Sequence, residues 1–593
     1  MSTPVAATKR RQSGGGFLIE DLDSTDIFTR EDFSDEQSQI ERTTADFAEQ
    51  QIQPKIAEIE AKDFQITKGL LRQAGEIGLM SVDVPEEYGG LDMDKISSAI
   101  IAENIAICGS FSVAFSAHVG IGTLPLVWYG SAQQKEKYLP RLASGEWIAA
   151  YALSESSSGS DAMNIRTQAR LSADGKQYVL DGEKMWISNA AIADLFIVFA
   201  KIDGEKFSAF LIDAGTPGLT IGPEEHKLGI RGSSTCPLVL SDCRIPAENL
   251  LGEPGKGHHI AFNILNVGRY KLGAAAVGAA KYAFRGGVRY ARERTAFSKP
   301  ITSFGLVQQM IAESAAGIFA GESLIYRVVG MIDASLAEAD KNAGNFAQEI
   351  QQRIEEYAVE CSIIKVWCSE MLDGVVDRML QLHGGYGYVS EYSAERSYRD
   401  SRINRIFEGT NEINRLIITG WMMKRAMQGR LALLPAIQRV MDEVMAGPAA
   451  RRDSTAELAG QHFLLANAKK LTLFCAGAAS QKFGSSLADQ QEVMGALADM
   501  IMEVLVLESA ILRCEKMQGR SPLAIQMTKY YAAHSFRVVE TAAEQILGAI
   551  AEGDMLRTQM TIFRRLAKHD PENTVALGQQ IAASMTEAGR YTL

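Results

Sequence analysis

A change of texture partway along the chain constrains its fold more than any other feature. Apolar residues recur at helical spacing from Ser34 to about residue 150, and again from Phe262 almost to the end. Between them, residues 178–180, 194–202, 207–212 and 237–240 are short runs rich in β-branched and aromatic side chains. Asp174-Gly175, Asp181-Gly182 and Asp203-Gly204 separate these runs and read as turns. At 593 residues the chain exceeds one ordinary domain. The expected fold is α+β and mostly α. It divides into a flexible tail over 1–33, an N-terminal helical domain over 34–150 and a middle β-domain over 151–262. A C-terminal helical-bundle domain over 263–429 follows, then a linker and an extra helical domain over 430–593.

Local signals support that division. Ser34 with Gln37 forms a capping box ahead of Ile40, Thr44 and Phe47. Pro435, Gly447 and Pro448 mark the linker. Beyond it Val493, Leu497, Met500, Val504 and Ile511 lie along one helical stripe, as in a packed bundle.

Composition excludes several functions. A net charge of -12 disfavours a nucleic-acid partner and broad attraction to anionic lipid. The seven cysteines are scattered without a C-x-x-C, which suits reduced thiols in a cytoplasm. The eight histidines contain no H-x-x-x-H or H-E-x-x-H, so no metal is expected. The N-terminal MSTPVAATKRRQSGGG lacks the apolar core of a signal peptide. No run of about 18 apolar residues is evident, and the nearest approach, at 500–507, is interrupted by Glu503. A soluble, cytoplasmic protein is expected.

Three segments carry possible chemistry. YALSESSSGSD (151–161) offers little bulk and many hydroxyls, which suits close backbone approach to a phosphate or polar ring edge. A surface Ser/Gly loop reads the same way. In GEKMWISN (182–189), Trp186 and Ser188 fall two apart, on one face of a strand, where both can meet a flat ligand or simply pack. QLHGGYGY (381–388) is followed by Arg396, Asp400 and RIFEGT (405–410). Glu408, between Phe407 and Gly409, is a carboxylate beside an aromatic in a loop ahead of a helix. That setting raises a carboxyl pKa toward a basic range. A surface pair with Arg405 or Arg402 is the plainer alternative.

Together these segments resemble the acyl-CoA dehydrogenase family. ALSESSSGSD (152–161) looks like one family signature and residues 381–400 like a second. The likeness runs from about Phe33 to Arg425, taking in PEEYGGL (85–91), GIRGS (229–233) and ERTAF (293–297). The resemblance implies the same three-part fold, FAD as cofactor and a fatty acyl-CoA substrate. Tyr151, Leu153, Ser154, Gly159 and Ser160 would line the flavin, with Trp186, Ile187 and Ser188 against its ring. Arg294 and Phe297, with Gln381, Leu382, His383, Gly384 and Gly385, would reach FAD from a neighbouring subunit, which implies a homodimer at least. Thr410 and Glu412 would also lie against the cofactor. Ser160, Asn266, Arg269, Phe407 and Gly409 would contact substrate.

Within the resemblance, Glu408 is the base that removes the α-proton while the β-hydride passes to flavin, giving a trans-2-enoyl-CoA. Its backbone N–H and a ribityl hydroxyl of FAD would hold the thioester oxygen. Some relatives place the base where Gly268 stands, which cannot serve. Phe304-Gly305 stands where many relatives carry a Gln that contacts FAD. The extension of about 160 residues, RIFEGT and ILNVGR (264–269) resemble the very-long-chain type, and small side chains at Val113, Ala114 and Ala117 would deepen an acyl channel. An electron-transfer flavoprotein is the implied acceptor in fatty acid β-oxidation. An oxidase on the same scaffold is the nearest rival. A peripheral membrane contact through Arg430, Arg439, Arg451 and Arg452, with Leu431, Leu433, Leu434, Ile437 and Val440, is a further possibility.

Overall fold

The computed structural model describes residues 12–339, 346–446, 456–517 and 521–593. Its first unit is helical, with Asp35–Phe47, Phe64–Glu76, Lys95–Asn104, Gly109–Ser116 and Ala132–Ala143 as its main helices. The capping box at Ser34 forms in both directions: Gln37 N donates to Ser34 Oγ at 3.1 Å, and Ser34 N to Gln37 Oε1 at 3.0 Å.

The middle unit is an eight-stranded sheet: β1 (Ala149–Ala152), β2 (Gln168–Leu171), β3 (Gln177–Ser188), β4 (Leu195–Ile202), β5 (Lys206–Asp213), β6 (Leu219–Ile221), β7 (Thr235–Pro246) and β8 (Leu250–Leu251). Strand order is β6-β7-β3-β2-β4-β5-β8, with β1 parallel to β4. Asp181-Gly182 is not a turn. It lies inside β3 at a bulge, where Gly182 has φ 150° and a Cβ would stand 2.8 Å from Thr167 Cα. A second irregularity, between Lys184 and Ile187, puts Trp186 at φ 59°. The expected alternation therefore fails there: Trp186 is 55% exposed, while Ser188 turns into a cleft.

The third unit is built on Gly257–Glu293, Gly305–Leu336, Ala358–His383 and Asn411–Met427. Its first helix begins six residues before the expected boundary. Among the described residues six α-helices follow, Leu433–Ala446, Ala459–Phe483, Gln491–Lys516, Pro522–Ile550, Gly553–Leu566 and Thr574–Ala588. This extra helical region shares one continuous core with the third unit, in which Val277 and Ile318 join Val504 and Leu547. Gln491–Lys516 is buried well beyond the expected stripe, at Ile501, Met502, Leu505 and Val506 as well, which fits the centre of a bundle.

Several expectations are corrected. Residues 12–33 are no loose tail. Phe17 is wholly buried, Gly15 N donates to Glu360 Oε1 at 2.6 Å, and Arg425 Nη1 donates to Gly14 O at 2.6 Å. Residues 1–11 lie outside the described residues. The stretches Gly109–Tyr129 and Gly305–Leu336 are long and apolar enough to cross a membrane, yet the most apolar part of each is mostly buried inside the protein, as core helices are. The membrane contact finds no support in the helix meant to make it. Leu431, Leu433 and Val440 are buried and Ile437 packs at Gly477, leaving Leu434 exposed. Arg430 pairs with Glu356 at 2.6 Å, while Gly447, Pro448, Arg451 and Arg452 fall outside the described residues. All seven cysteines are buried and unbridged.

Candidate active site

The loop carrying Glu408 is held by its backbone. Thr410 caps the helix Asn411–Met427, its hydroxyl accepting from Ile413 N at 3.2 Å. Just before it, Glu408 and Gly409 have φ of 58° and 79°, a left-handed pair that costs a non-glycine residue about 1–3 kcal/mol. The carbonyls so displaced find donors. Asn414 Nδ2 donates to the oxygens of Glu408, Gly409 and Thr410 at 3.3, 2.9 and 3.0 Å. Arg269 Nε donates to Glu408 O at 3.2 Å, and Lys365 Nζ to Gly409 O at 2.7 Å and Asn411 Oδ1 at 2.6 Å.

The side chain is treated differently. Glu408 Oε2 is buried without a hydrogen-bond partner. Arg405 pairs instead with Asp373 at 2.9 Å and Arg402 is exposed, so the surface-pair alternative fails. Burial pushes the Glu408 carboxyl from its ordinary 4.5 up to about 7, against the charges of Arg269 and Lys365. Burial likewise brings the Lys365 ammonium down to about 7. Gly268 is required here, because a Cβ on it would stand 2.8 Å from Glu408 Oε2. The residue that cannot be a base makes room for one.

Glu408 opens into a cleft of about 1090 Å³. Ser112, Val113, Ser116 and Ala117 form one wall, and Leu272, Ala275, Ala276 and Ala279 another, with Ser188, Phe407, Lys271, Arg396 and Asp400 also lining it. Ala114 is not among these; it is buried, and its carbonyl accepts from Asn189 Nδ2 at 2.8 Å. Val113 and Ala117 thus line the cleft as expected, Ala114 does not, and Ser112 and Ser116 add hydroxyls to the wall.

Tyr151 is buried on β1 with its hydroxyl unpartnered, and burial together with the Glu408 charge pushes the phenol well above its usual range. Leu153 O accepts from Lys184 Nζ at 3.2 Å, and Ser154 O from Met185 N at 2.9 Å, tying this segment to β3. Gly159 and Ser160 are exposed, with open space around Gly159. Ile187 points into the sheet core, so only its backbone can meet a ligand. Thr410 is occupied as a cap, and Glu412 is exposed beside it.

Arg294, Phe297, Gln381, Leu382, His383, Gly384 and Gly385 gather in a second cleft of about 1340 Å³ that shares no lining residue with the first. Phe297 is 89% exposed there, and His383 stacks on Tyr290 with ring centres 4.3 Å apart. Phe304, standing where a Gln was expected, lines this cleft.

Asn266 and Arg269 depart from the expected role. Both are buried and bonded to each other at 2.9 Å, and Arg269 turns to the Glu408 carbonyl rather than the cleft. The Gly409 carbonyl is occupied by Lys365 and Asn414. Sequence reasoning missed Lys365, Asn411 and Asn414. Lys365 had a signal: it is the one charge in an apolar stretch, 361–368, that is buried throughout but for Trp367.

Comparison with known proteins gives the family. Models of the acyl-CoA dehydrogenase N-terminal, middle and C-terminal domains match residues 34–146, 150–243 and 255–423, and a further C-terminal model of that family matches 467–565. A probable acyl-CoA dehydrogenase of Bacillus subtilis is 47% identical over 587 residues, covering 98% of this chain and 99% of its own. The human mitochondrial short-chain specific acyl-CoA dehydrogenase is 37% identical over 65% of this chain and 89% of its own. A crystal structure of acyl-CoA dehydrogenase complexed with FAD from Bacillus anthracis superposes with a TM-score of 0.95 at 46% identity, covering 98% of this chain and all of that one. The residues here fit such a cofactor: an unpartnered phenol at Tyr151, an exposed indole at Trp186, and glycines at 159, 384 and 385 with open space about them. A likeness that runs through all three units and on into the extension places this chain in the acyl-CoA dehydrogenase family of FAD-dependent oxidoreductases.

Proposed function

We propose that this enzyme desaturates long-chain fatty acyl-CoA thioesters and that Glu408 is its catalytic base. The observation that carries this reading is the Glu408 carboxyl, buried at a cleft, unpartnered at Oε2 and raised to about 7. A base with its pKa near the working pH is matched to removing a weakly acidic α-proton, and positioned general bases contribute about 10²–10⁴-fold. Arg269, Lys365 and Asn414 clamp the loop carbonyls and so fix the carboxyl against Gly268. The apolar wall at Leu272, Ala275, Ala276 and Ala279 would exclude water from a bound acyl chain. FAD, when bound, supplies the acceptor for the hydride that leaves the β-carbon.

Cleft dimensions support a long acyl tail. Gly268, Leu272, Ala275, Ala276, Ala279 and Tyr282 line it along one helix. From 268 to 282 is fourteen residues, or about 21 Å at about 1.5 Å per residue. We read the chain as a long-chain or very-long-chain enzyme of fatty acid β-oxidation in the cytoplasm, with an electron-transfer flavoprotein as acceptor. A homodimer accounts for the second cleft. Residues expected to touch one cofactor lie in two separate clefts, which suits a partner subunit bringing Arg294, Phe297 and the 381–385 turn to the cofactor.

Steady-state rates across an acyl-CoA series, with artificial and protein acceptors, test this. Turnover should favour long chains and need a protein or artificial acceptor. Full-rate peroxide formation in oxygen alone would instead identify an oxidase.

A further inference from the structure

Tyr282 stands fourteen residues along its helix from Gly268, toward the end of the cleft away from Glu408. Ile107 and Tyr282 line this cleft and also line a second cavity, of about 1120 Å³, immediately behind them. The two cavities differ along the helix that carries Tyr282. The cleft wall is small and apolar at Ala275, Ala276 and Ala279, whereas the cavity behind holds Arg30, Glu49, Glu103, Lys281 and Arg285. Its charges are engaged: Lys281 Nζ lies 2.5 Å from Glu103 Oε1 and Arg285 Nη1 lies 2.6 Å from Glu49 Oε1. The Arg285 guanidinium also stands 5.6 Å from the centre of the Tyr282 ring. Residues 590–593, beyond the last helix of the extension, line the outer side, where Lys281 Nζ lies 5.2 Å from the Tyr591 ring centre.

We propose that Tyr282, with Ile107, sets the upper limit of acyl chain length by walling the apolar stretch at 272–279 off from this charged cavity. The inference rests on the reading of the cleft as an acyl site. A methyl end pushed past the wall would meet paired charges and their water instead of hydrocarbon, and burying apolar carbon against such groups gains nothing while desolvating them costs. The limit therefore depends on the bulk of two side chains and not on the length of the helix that carries one of them.

The test uses the FAD-loaded enzyme and a series of saturated acyl-CoAs. It reads kcat/KM, and also dissociation constants by calorimetry in the Glu408→Gln background, where turnover does not intervene. Tyr282→Ala should move the limit to longer chains, raising the ratio of the first excluded length to the last accepted one at least about 10-fold. Tyr282→Trp should move it to shorter chains, and Ile107→Ala should follow Tyr282→Ala. Variants that scale every chain length by one factor, or leave the limit in place, overturn the proposal. If Tyr282→Ala does not fold, the opposite shifts expected of Tyr282→Trp and Ile107→Ala decide it alone. Binding limits that move with Tyr282 in a protein that oxidises no acyl-CoA would keep the wall and sink the dehydrogenase reading.

Discussion

Glu408 and Glu503 are both buried between helices, one in the loop before Asn411–Met427, the other on Gln491–Lys516, where the extension meets the third unit. Burial raises both carboxyl pKa values. At Glu503 the raising is opposed by hydrogen bonds: Trp367 Nε1 donates to Oε1 at 3.1 Å and Tyr531 Oη to Oε2 at 2.6 Å. At Glu408 the polar groups nearby are directed to the backbone, and Oε2 receives none of them. The contrast separates a carboxyl used as a packing element from one kept reactive. A buried acid whose oxygens are satisfied ties two helices together, while one left bare holds a basicity that burial raises against the charges of Arg269 and Lys365.

That contrast can be broken by experiment. The largest stability effect expected comes from the Glu408 charge. Because the Glu408 carboxyl has a folded pKa of about 7, above its ordinary 4.5, its contribution is fully present below about 4.5 and lost as pH rises through 7. At pH 8 the buried charge costs about 3 kcal/mol by that shift. Glu408→Gln should therefore stabilise the protein at pH 8 and much less at pH 4.5, as urea unfolding at the two pH values would show. An equal effect at both would remove the burial argument. Next comes Gly268→Ala, whose methyl would displace the carboxyl and slow flavin reduction by acyl-CoA about 10²-fold in stopped-flow, since misplacement by an ångström carries that order of loss. An unchanged rate would mean the loop yields. Smallest is Tyr531→Phe, which leaves Glu503 Oε2 without its donor and should cost about 1–2 kcal/mol in unfolding free energy. Flavin reduction should be left as it was. A loss of rate with no loss of stability would reverse the roles assigned to the two glutamates.

The wild-type pH profile sharpens the same point. The rate of flavin reduction should fall as pH drops below about 7, tracking one protonation at Glu408.

Much of this was legible in the residues. Helical spacing broken by β-rich runs showed the order of the units, and the Phe407-Glu408-Gly409 setting pointed to a raised carboxyl before any contact was known. What stayed hidden depends on long-range packing. Nothing near Gln12 or Phe17 in sequence announces that they dock against helices more than 300 residues away. The bulges in β3 depend on what lies opposite Gly182 and Trp186, so period-two reasoning fails there. Lys365 reads as one residue of an apolar helix until its partner, the Gly409 carbonyl, is in place. Ala114 and Ser112 differ by two positions on a helix, and only the fold says which faces the cleft.

Anaerobic mixing of the FAD-loaded Glu408→Gln variant with a long-chain acyl-CoA addresses the base directly, since the substitution keeps size and hydrogen bonding but cannot accept the α-proton. The protein should stay yellow, with flavin bleaching slowed by about 10²–10⁴-fold or more relative to wild type. Bleaching at the wild-type rate would show that another group takes the proton.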